Sequence, residues 1–358
     1  MRHLDVTTVS DTHAVVHAVT DDGSVSMHRF DDLEPDATTR VTVHDAATGE
    51  HVDVDVTTLA PLTGTASSMV ATVNDVHFGE VAAGQIDDHP IGPIRRAEPG
   101  DEPYPEVMNR AAADEMTAAD PDVVVVKGDL SVDGEDHEWE AFERCYRDPF
   151  GERLHVVRGN HDAYQGQDRY AGDQRIDVAG LTIALLDTVI PGATTGMIRP
   201  EQIEWLDAVA ADATNPVLVM GHHQQWIATA HPNHDDDAGS ATYFGLHPDA
   251  SNALDDVCAR RASIIAYSAG HTHRHRVRTM TKSGIPTIEV GCTKDFPGTW
   301  AEHRVHGDGV MHLAHRMSSP EALAWSEPCR ELYADFGLDY SAYALGELSD
   351  RCFTIPFR

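Results

Sequence analysis

The pattern of apolar and polar positions changes character near residue 66. Before it, Val6 to Val9, Ala14 to Val19, Ser24 to Phe30, Arg40 to His44 and His51 to Leu59 are short runs rich in β-branched residues. Asp-Asp-Gly, Glu-Pro-Asp and Thr-Gly-Glu turns punctuate them, which predicts a small antiparallel β domain over residues 1–66. Pro61 to Ser68, rich in Thr, Gly and Ser, reads as its linker. Beyond it, apolar runs alternate with stretches at helical spacing. Met69 to Val73, Val123 to Val126, Leu154 to Val157, Leu181 to Leu186, Val217 to Met220 and Ile264 to Tyr267 predict buried strands. Pro105 to Ala119, Glu135 to Arg147 and Pro200 to Val209 predict helices, the last opening on Pro-Glu as a helix should. Such alternation is α/β order, assigned to residues 67–318. Val277 to Met280, Pro286 to Val290 and Val310 to Leu313 continue it as strands, and Pro320 to Ala334 reads as an amphipathic helix. The tail, residues 319–358, keeps Tyr340, Tyr343, Leu348, Phe353 and Ile355 and is expected to pack on the α/β domain.

Five of the predicted strands run into turns that carry chemistry: Asp75-Val76-His77, Gly128-Asp129, Gly159-Asn160-His161-Asp162, Gly221-His222-His223 and Gly270-His271-Thr272-His273. Asp, His and Asn at strand ends, with no Cys among them, suit a pair of Mn, Fe or Zn ions better than a structural zinc. One carboxylate must then bridge. Two cations about 3.5–4 Å apart can activate a shared water and clamp both oxygens of an in-line displacement at phosphorus, which is hydrolysis of a phosphate ester. Asp11-Thr12-His13 repeats the first motif but lies inside the β domain and runs on into alternating residues, so it is set aside.

In that order the five motifs resemble those of the calcineurin-like metallophosphoesterases, in particular the cyclic-nucleotide-phosphodiesterase-like branch, over roughly Met69 to the strands after His273. The resemblance implies a four-layer αββα sandwich, two mixed sheets face to face with helices outside and the site at the strand C-termini. It implies that Asp75, His77 and His273 hold one metal, that Asn160, His222 and His271 hold the other, and that Asp129 bridges. His222 is favoured over His223. His161 would stay off the metals as general acid, with Asp162 orienting it. The Asp32-Leu33-Glu34-Pro35-Asp36 phrase and the Thr-rich strand after it resemble a short fibronectin type III module. Two positions depart from relatives: Val132 stands where purple acid phosphatases have a ligand Tyr, and Gln224 where bacterial cyclic-nucleotide enzymes often have Pro. The expected activity is hydrolysis of a small phosphodiester, a cyclic nucleotide or glycerophosphodiester, through a metal-bridging hydroxide. A phosphomonoesterase acting on nucleotide or sugar phosphates is the alternative enzyme, and a catalytically dead fold used for binding the alternative from another class.

Composition narrows the partners. A formal charge of −33 with only three lysines, Lys127, Lys282 and Lys294, weighs against nucleic acid, whose binding draws on clustered cations. The expected partner is a small phosphate ester. Five scattered cysteines without a Cys-x-x-Cys pair indicate neither a disulfide framework nor a thiolate zinc site. No apolar run approaches the roughly 20 residues of a membrane helix, and Met1 to Asp5 does not lead into a secretory signal, so a cytoplasmic location is expected. Ile227 to Ser251, with His231, His234 and Asp235 to Asp237, is too polar and broken for a regular element and is a candidate lid. This stretch and Phe296 to Trp300 are expected to shape substrate selectivity. Arg274, Arg276 and Arg278 read as the solvent side of a strand, and His303, His306, His312 and His315 are given no role.

Overall fold

The computed structural model describes residues 2–44, 49–85, 92–225 and 244–358. Its centre is a pair of six-stranded mixed sheets. One runs β13 (Arg276–Thr279), β14 (Pro286–Glu289), β12 (Ile264–Ala269), β11 (Val217–Met220), β10 (Leu181–Leu185), β9 (Gln174–Val178). The other runs β17 (Cys352–Pro356), β16 (Gly309–Arg316), β15 (Thr299–Val305), β6 (Ser68–Val73), β7 (Val123–Lys127), β8 (Leu154–Val157). β6, β7 and β8 are mutually parallel, as are β10, β11, β12 and β14, so their C-terminal ends share an edge of each sheet.

The alternation of side chains explains why these strands read as apolar runs. Val123 and Val125 face the other sheet and pack with Val70, Ile183, Leu218 and Ile265. Val124 and Val126 face outward onto Met108, Met116, Phe142 and Tyr146 of the flanking helices. A strand buried on both faces has no polar face to show. Ala184, Val217 and Val219 do the same on the other sheet, against Leu206 and Val209 of helix Pro200–Asp212 and Leu254 and Val257 of helix Pro248–Arg260. Four layers result, as expected.

The N-terminal region forms two small antiparallel sheets, β1 (His3–Val9), β2 (Ala14–Val19) and β3 (Val25–Phe30), and β4 (Thr38–His44) with β5 (His51–Thr57). It shares a core with the sandwich, since Val9, Val41 and Val56 pack on Met311, Leu313 and Cys352. Arg330 ties the two further by pairing with Asp5 at 2.5 Å.

Several elements differ from expectation. The helix over Glu135 to Arg147 is α-helical only at Asp136–Phe142 and widens into a π turn at Glu143–Arg147. Pro320 to Ala334 splits into helix Pro320–Ser326 and a 3-10 turn Glu327–Glu331, where Pro328 lacks the N–H that a continuing α-helix needs. The tail does more than pack: Cys352 to Pro356 is an edge strand paired antiparallel to β16. Of the candidate lid, residues 227–243, including His231, His234 and Asp235 to Asp237, lie outside the described residues; its remainder enters helix Pro248–Arg260. All five cysteines are free, and no helix among the described residues is long and apolar enough to cross a membrane.

Candidate metal centre

All five motif loops leave the C-terminal ends of β6, β7, β8, β11 and β12, where parallel pairing delivers them to one edge of the sandwich. The turns are tight. Asp75, His77, Asp129, His271 and His273 have left-handed backbone, with φ between 46° and 69°. Left-handed non-glycine residues cost of order 1–3 kcal/mol each and cluster where function demands them. Gly128, at φ 88°, lets a neighbouring loop come close, since a Cβ there would sit 2.5 Å from Nδ1 of His222.

The side chains converge in two groups around Asp129. Asp129 Oδ2 lies 3.5 Å from His77 Nε2 and 3.3 Å from His222 Nε2. On one side Asp75 Oδ1 is 3.5 Å from His273 Nε2, and Asp75, His77 and His273 have ligand atoms close enough to share one ion. On the other, Asn160 Oδ1 is 3.0 Å from His222 Nε2, and the His222 and His271 rings are 5.0 Å apart. Tyr164 turns this amide: Asn160 Nδ2 donates to the Tyr164 hydroxyl at 2.6 Å, leaving Oδ1 for the centre.

These residues fit cations on three counts. Both ring nitrogens of His77 and Nε2 of His271 are buried without a hydrogen-bond partner, a cost of about 1–3 kcal/mol per group unless something binds there. Burial, helped by the charge of Lys294 at His77 and by His223 at His271, pushes both imidazoles well below the usual range, which keeps them in the neutral form a metal needs. The donor set is oxygen and imidazole, suited to borderline divalent ions. At His222 burial opposes protonation but the Asp129 carboxylate outweighs it, and the pKa is raised to about 9. Asp129 is held well below the carboxylate range in return, against burial, chiefly by His222. This pair therefore keeps a proton that a cation must displace.

His222, His223 and His271 all have ligand atoms close enough to share an ion, and the first two differ in what their ring nitrogens bond. His223 spends both, Nδ1 on Thr188 Oγ1 at 2.8 Å and Nε2 on the Thr194 carbonyl at 3.1 Å. His222 donates Nδ1 to the Lys127 carbonyl at 2.8 Å and turns Nε2 inward, to Asn160 Oδ1 at 3.0 Å and Asp129 Oδ2 at 3.3 Å, which are themselves candidate ligands. His13 of the set-aside motif bonds Ser10 in the turn between β1 and β2.

Asp162 does not orient His161. Its carboxylate accepts from the backbone N–H groups of Gly159 (2.7 Å), Leu130 (3.0 Å) and Ser131 (2.8 Å) and from the Ser131 hydroxyl (2.6 Å), stitching the Asp129 loop to the Asn160 loop. His161 is held instead by the carbonyl of Val132, 3.0 Å from Nδ1. The ring stands edge-on to His77 at 4.6 Å.

A cavity of about 850 Å³ opens over the centre. Its floor includes His77, Asn160, His161, His271 and His273, and its walls carry Val81, Tyr164, Phe244, Tyr333, Leu338 and Tyr343. Phe296 and Trp300, expected to shape selectivity, do not line it: Phe296 lies under the guanidinium of Arg330 at 4.3 Å, and Trp300 stacks on His315. Arg274 and Arg276 are not free solvent-side charges either, since both pair with Glu289. Sequence reasoning missed Glu80 and Lys294. Glu80 Oε2 stands 3.7 Å from His77 Nδ1, and Lys294 Nζ donates to Glu80 Oε1 at 2.7 Å. Only the three-residue step from His77 to Glu80 hinted at this.

Comparison with known proteins agrees with the geometry. The family model described as calcineurin-like phosphoesterase matches residues 69–275, more than half of the chain. The chain is 30% identical over 249 residues to a cAMP/cGMP dual specificity phosphodiesterase of Mycobacterium tuberculosis, covering 63% of this chain and 74% of that protein. It is 25% identical over 185 residues to a 3',5'-cyclic adenosine monophosphate phosphodiesterase of Pseudomonas aeruginosa, covering 50% and 64%. Across the curated relatives it matches, the chain spans between 42% and 74% of their length. Among solved structures, purple acid phosphatase from yellow lupin shares the fold at a TM-score of 0.50 and 11% identity, over 86% of this chain and 57% of that one. With all five motifs gathered at one edge of an αββα sandwich, the chain belongs to the calcineurin-like phosphoesterases.

Proposed function

We propose that this protein is a metal-dependent phosphodiesterase that hydrolyses a small diester carrying a planar or apolar alcohol group, of the cyclic-nucleotide type. The observation that carries the reading is that unpartnered, buried imidazole nitrogens of His77 and His271 meet in one cavity with Asp129, whose carboxylate lies 3.5 Å from His77 and 3.3 Å from His222. Asp75, His77 and His273 would hold one cation and Asn160, His222 and His271 the other, with Asp129 between them. When bound, the pair supplies an activated water and neutralises charge developing at phosphorus.

The remaining chemistry belongs to His161. A carbonyl can only accept, so the Val132 carbonyl keeps a hydrogen on Nδ1, and the proton that moves is the one on Nε2. Protonated there, His161 delivers it to the departing alkoxide. Two features favour a diester over a monoester. Lys294 is the single Lys or Arg among the described residues lining the cavity, and it is already paired with Glu80, so no fixed cation is left for the second charge of a monoester. The outer walls are largely apolar, with Val81, Phe244 and Leu338 exposed around the mouth. Bis-p-nitrophenyl phosphate and p-nitrophenyl phosphate, assayed side by side with Mn(II), test this. Preference for the diester is expected, and a clear preference for the monoester would reverse the assignment.

A further inference from the structure

Lysine has almost disappeared from this chain, with three residues against 59 acidic ones, and two of the three are buried beside the metal centre. Lys294 has the carboxylate of Glu80 for company. Lys127 has no such partner among the described residues. Its Nζ, fully buried, donates to two neutral acceptors, the Ser268 hydroxyl at 3.1 Å and the Ala269 carbonyl at 3.0 Å. Burial makes this amine costly to keep charged, the Asp75 carboxylate opposing that cost only through its field, and an apolar side chain of similar length would fill the same space without it.

Its position suggests what offsets the cost. Lys127 is the last residue of β7, directly before Gly128 and Asp129, whereas Ser268 and Ala269 end β12 in the opposite sheet, directly before Gly270 and His271. The backbone carbonyl of Lys127 is also the acceptor that orients His222. One residue thus touches the roots of three candidate ligands, on loops from both sheets. We propose that Lys127 is a positioning residue, a strut across the sandwich that fixes the spacing between the Asp129 and His271 loops and so gives the Asn160–His222–His271 site its cation affinity. The inference rests on the metal-dependent reading above. Ion-pairing with substrate is no part of it, since Nζ has no exposure to the cavity.

The test is Lys127→Met in the full chain, compared with the parent in metal-free form and during calorimetric titration with Mn(II). The metal-free variant should melt at the parent temperature or above, because a buried polar group has been replaced by an apolar one of similar length. The first Mn(II) should bind as in the parent and the second about 10–100-fold more weakly, the range seen when groups that orient ligands are removed. With Co(II) as probe, the visible spectrum of the second ion should change, and kcat should fall with KM for bis-p-nitrophenyl phosphate unchanged. Equal Mn(II) affinities and an unchanged Co(II) spectrum would overturn the proposal, whatever the melting temperature does. Should Lys127→Met fail to fold, Ser268→Ala keeps the amine and removes one acceptor; a weaker second Mn(II) supports the strut, and an unchanged one overturns it. A parent that binds fewer than two ions would instead sink the underlying reading.

Discussion

Removing the carboxylate of Asp162 separates a scaffolding role from an acid-orienting one. In Asp162→Ala, three backbone N–H groups and the Ser131 hydroxyl lose their acceptor in a fully buried position. Leaving a buried donor unsatisfied costs about 1–3 kcal/mol. Relief of repulsion offsets part of this, because burial and then the nearby Asp129 charge raise the Asp162 carboxyl to about 6. The net loss should be about 4 kcal/mol, a large share of the roughly 5–15 kcal/mol that holds a typical domain folded. Urea unfolding of the metal-free protein measures it. The loss should also depend on pH. The folded-state pKa of Asp162 stands above the ordinary carboxylate value, so its contribution is fully present below about pH 4 and declines as pH rises through about 6. The gap between parent and variant should therefore be wider at pH 5 than at pH 8. A stability within about 1 kcal/mol of the parent, joined to a displaced acid limb of the pH–rate profile, would refute the reasoning and return Asp162 to orienting His161.

Further outcomes are expected elsewhere in the site. His161→Ala should lower kcat about 10²–10⁴-fold while leaving Mn(II) stoichiometry unchanged, with a smaller loss for p-nitrophenolate leaving groups than for alkoxides; calorimetry and steady-state kinetics check both halves. His222 has its pKa raised to about 9 by Asp129, against burial, so its protonation stabilises the metal-free fold below pH 6.5 and that contribution is lost as pH climbs through about 9. A cation needs the neutral ring, so Mn(II) affinity should rise across the same window, and an affinity flat from pH 6 to 9 would contradict the pairing. Leu338→Ala and Tyr333→Ala should raise KM for a cyclic nucleotide more than for dimethyl phosphate, because only the larger ester reaches the outer wall.

How much of this was legible in the sequence depended on whether a residue's neighbours in space were also its neighbours in the chain. β7 and β11 are bounded to within a residue because double-faced burial leaves an unbroken apolar run, and β8 is legible despite the half-buried His155 in it. β15 was invisible although it is central: Glu302, His303 and Arg304 occupy places where apolar residues are expected. They are tolerated because Glu302 meets Arg304 and His315, and His303 meets His312. The ligand motifs stood out because glycine turns and left-handed positions constrain them locally. The role of Asp162 did not, since adjacency to His161 says nothing about which loop its carboxylate faces. Lys294, Tyr333 and Leu338 reach the cavity from segments far along the chain, and no spacing announces such encounters.

The central claim is that seven side chains from five loops cage two cations about Asp129. Titrating the metal-free chain with Mn(II) by calorimetry tests it most directly, with Asp129→Ala and His271→Ala alongside. Two ions per parent chain are predicted, with the second lost in His271→Ala and both strongly weakened in Asp129→Ala. One ion or none in the parent, or two ions bound equally well by both variants, would contradict it.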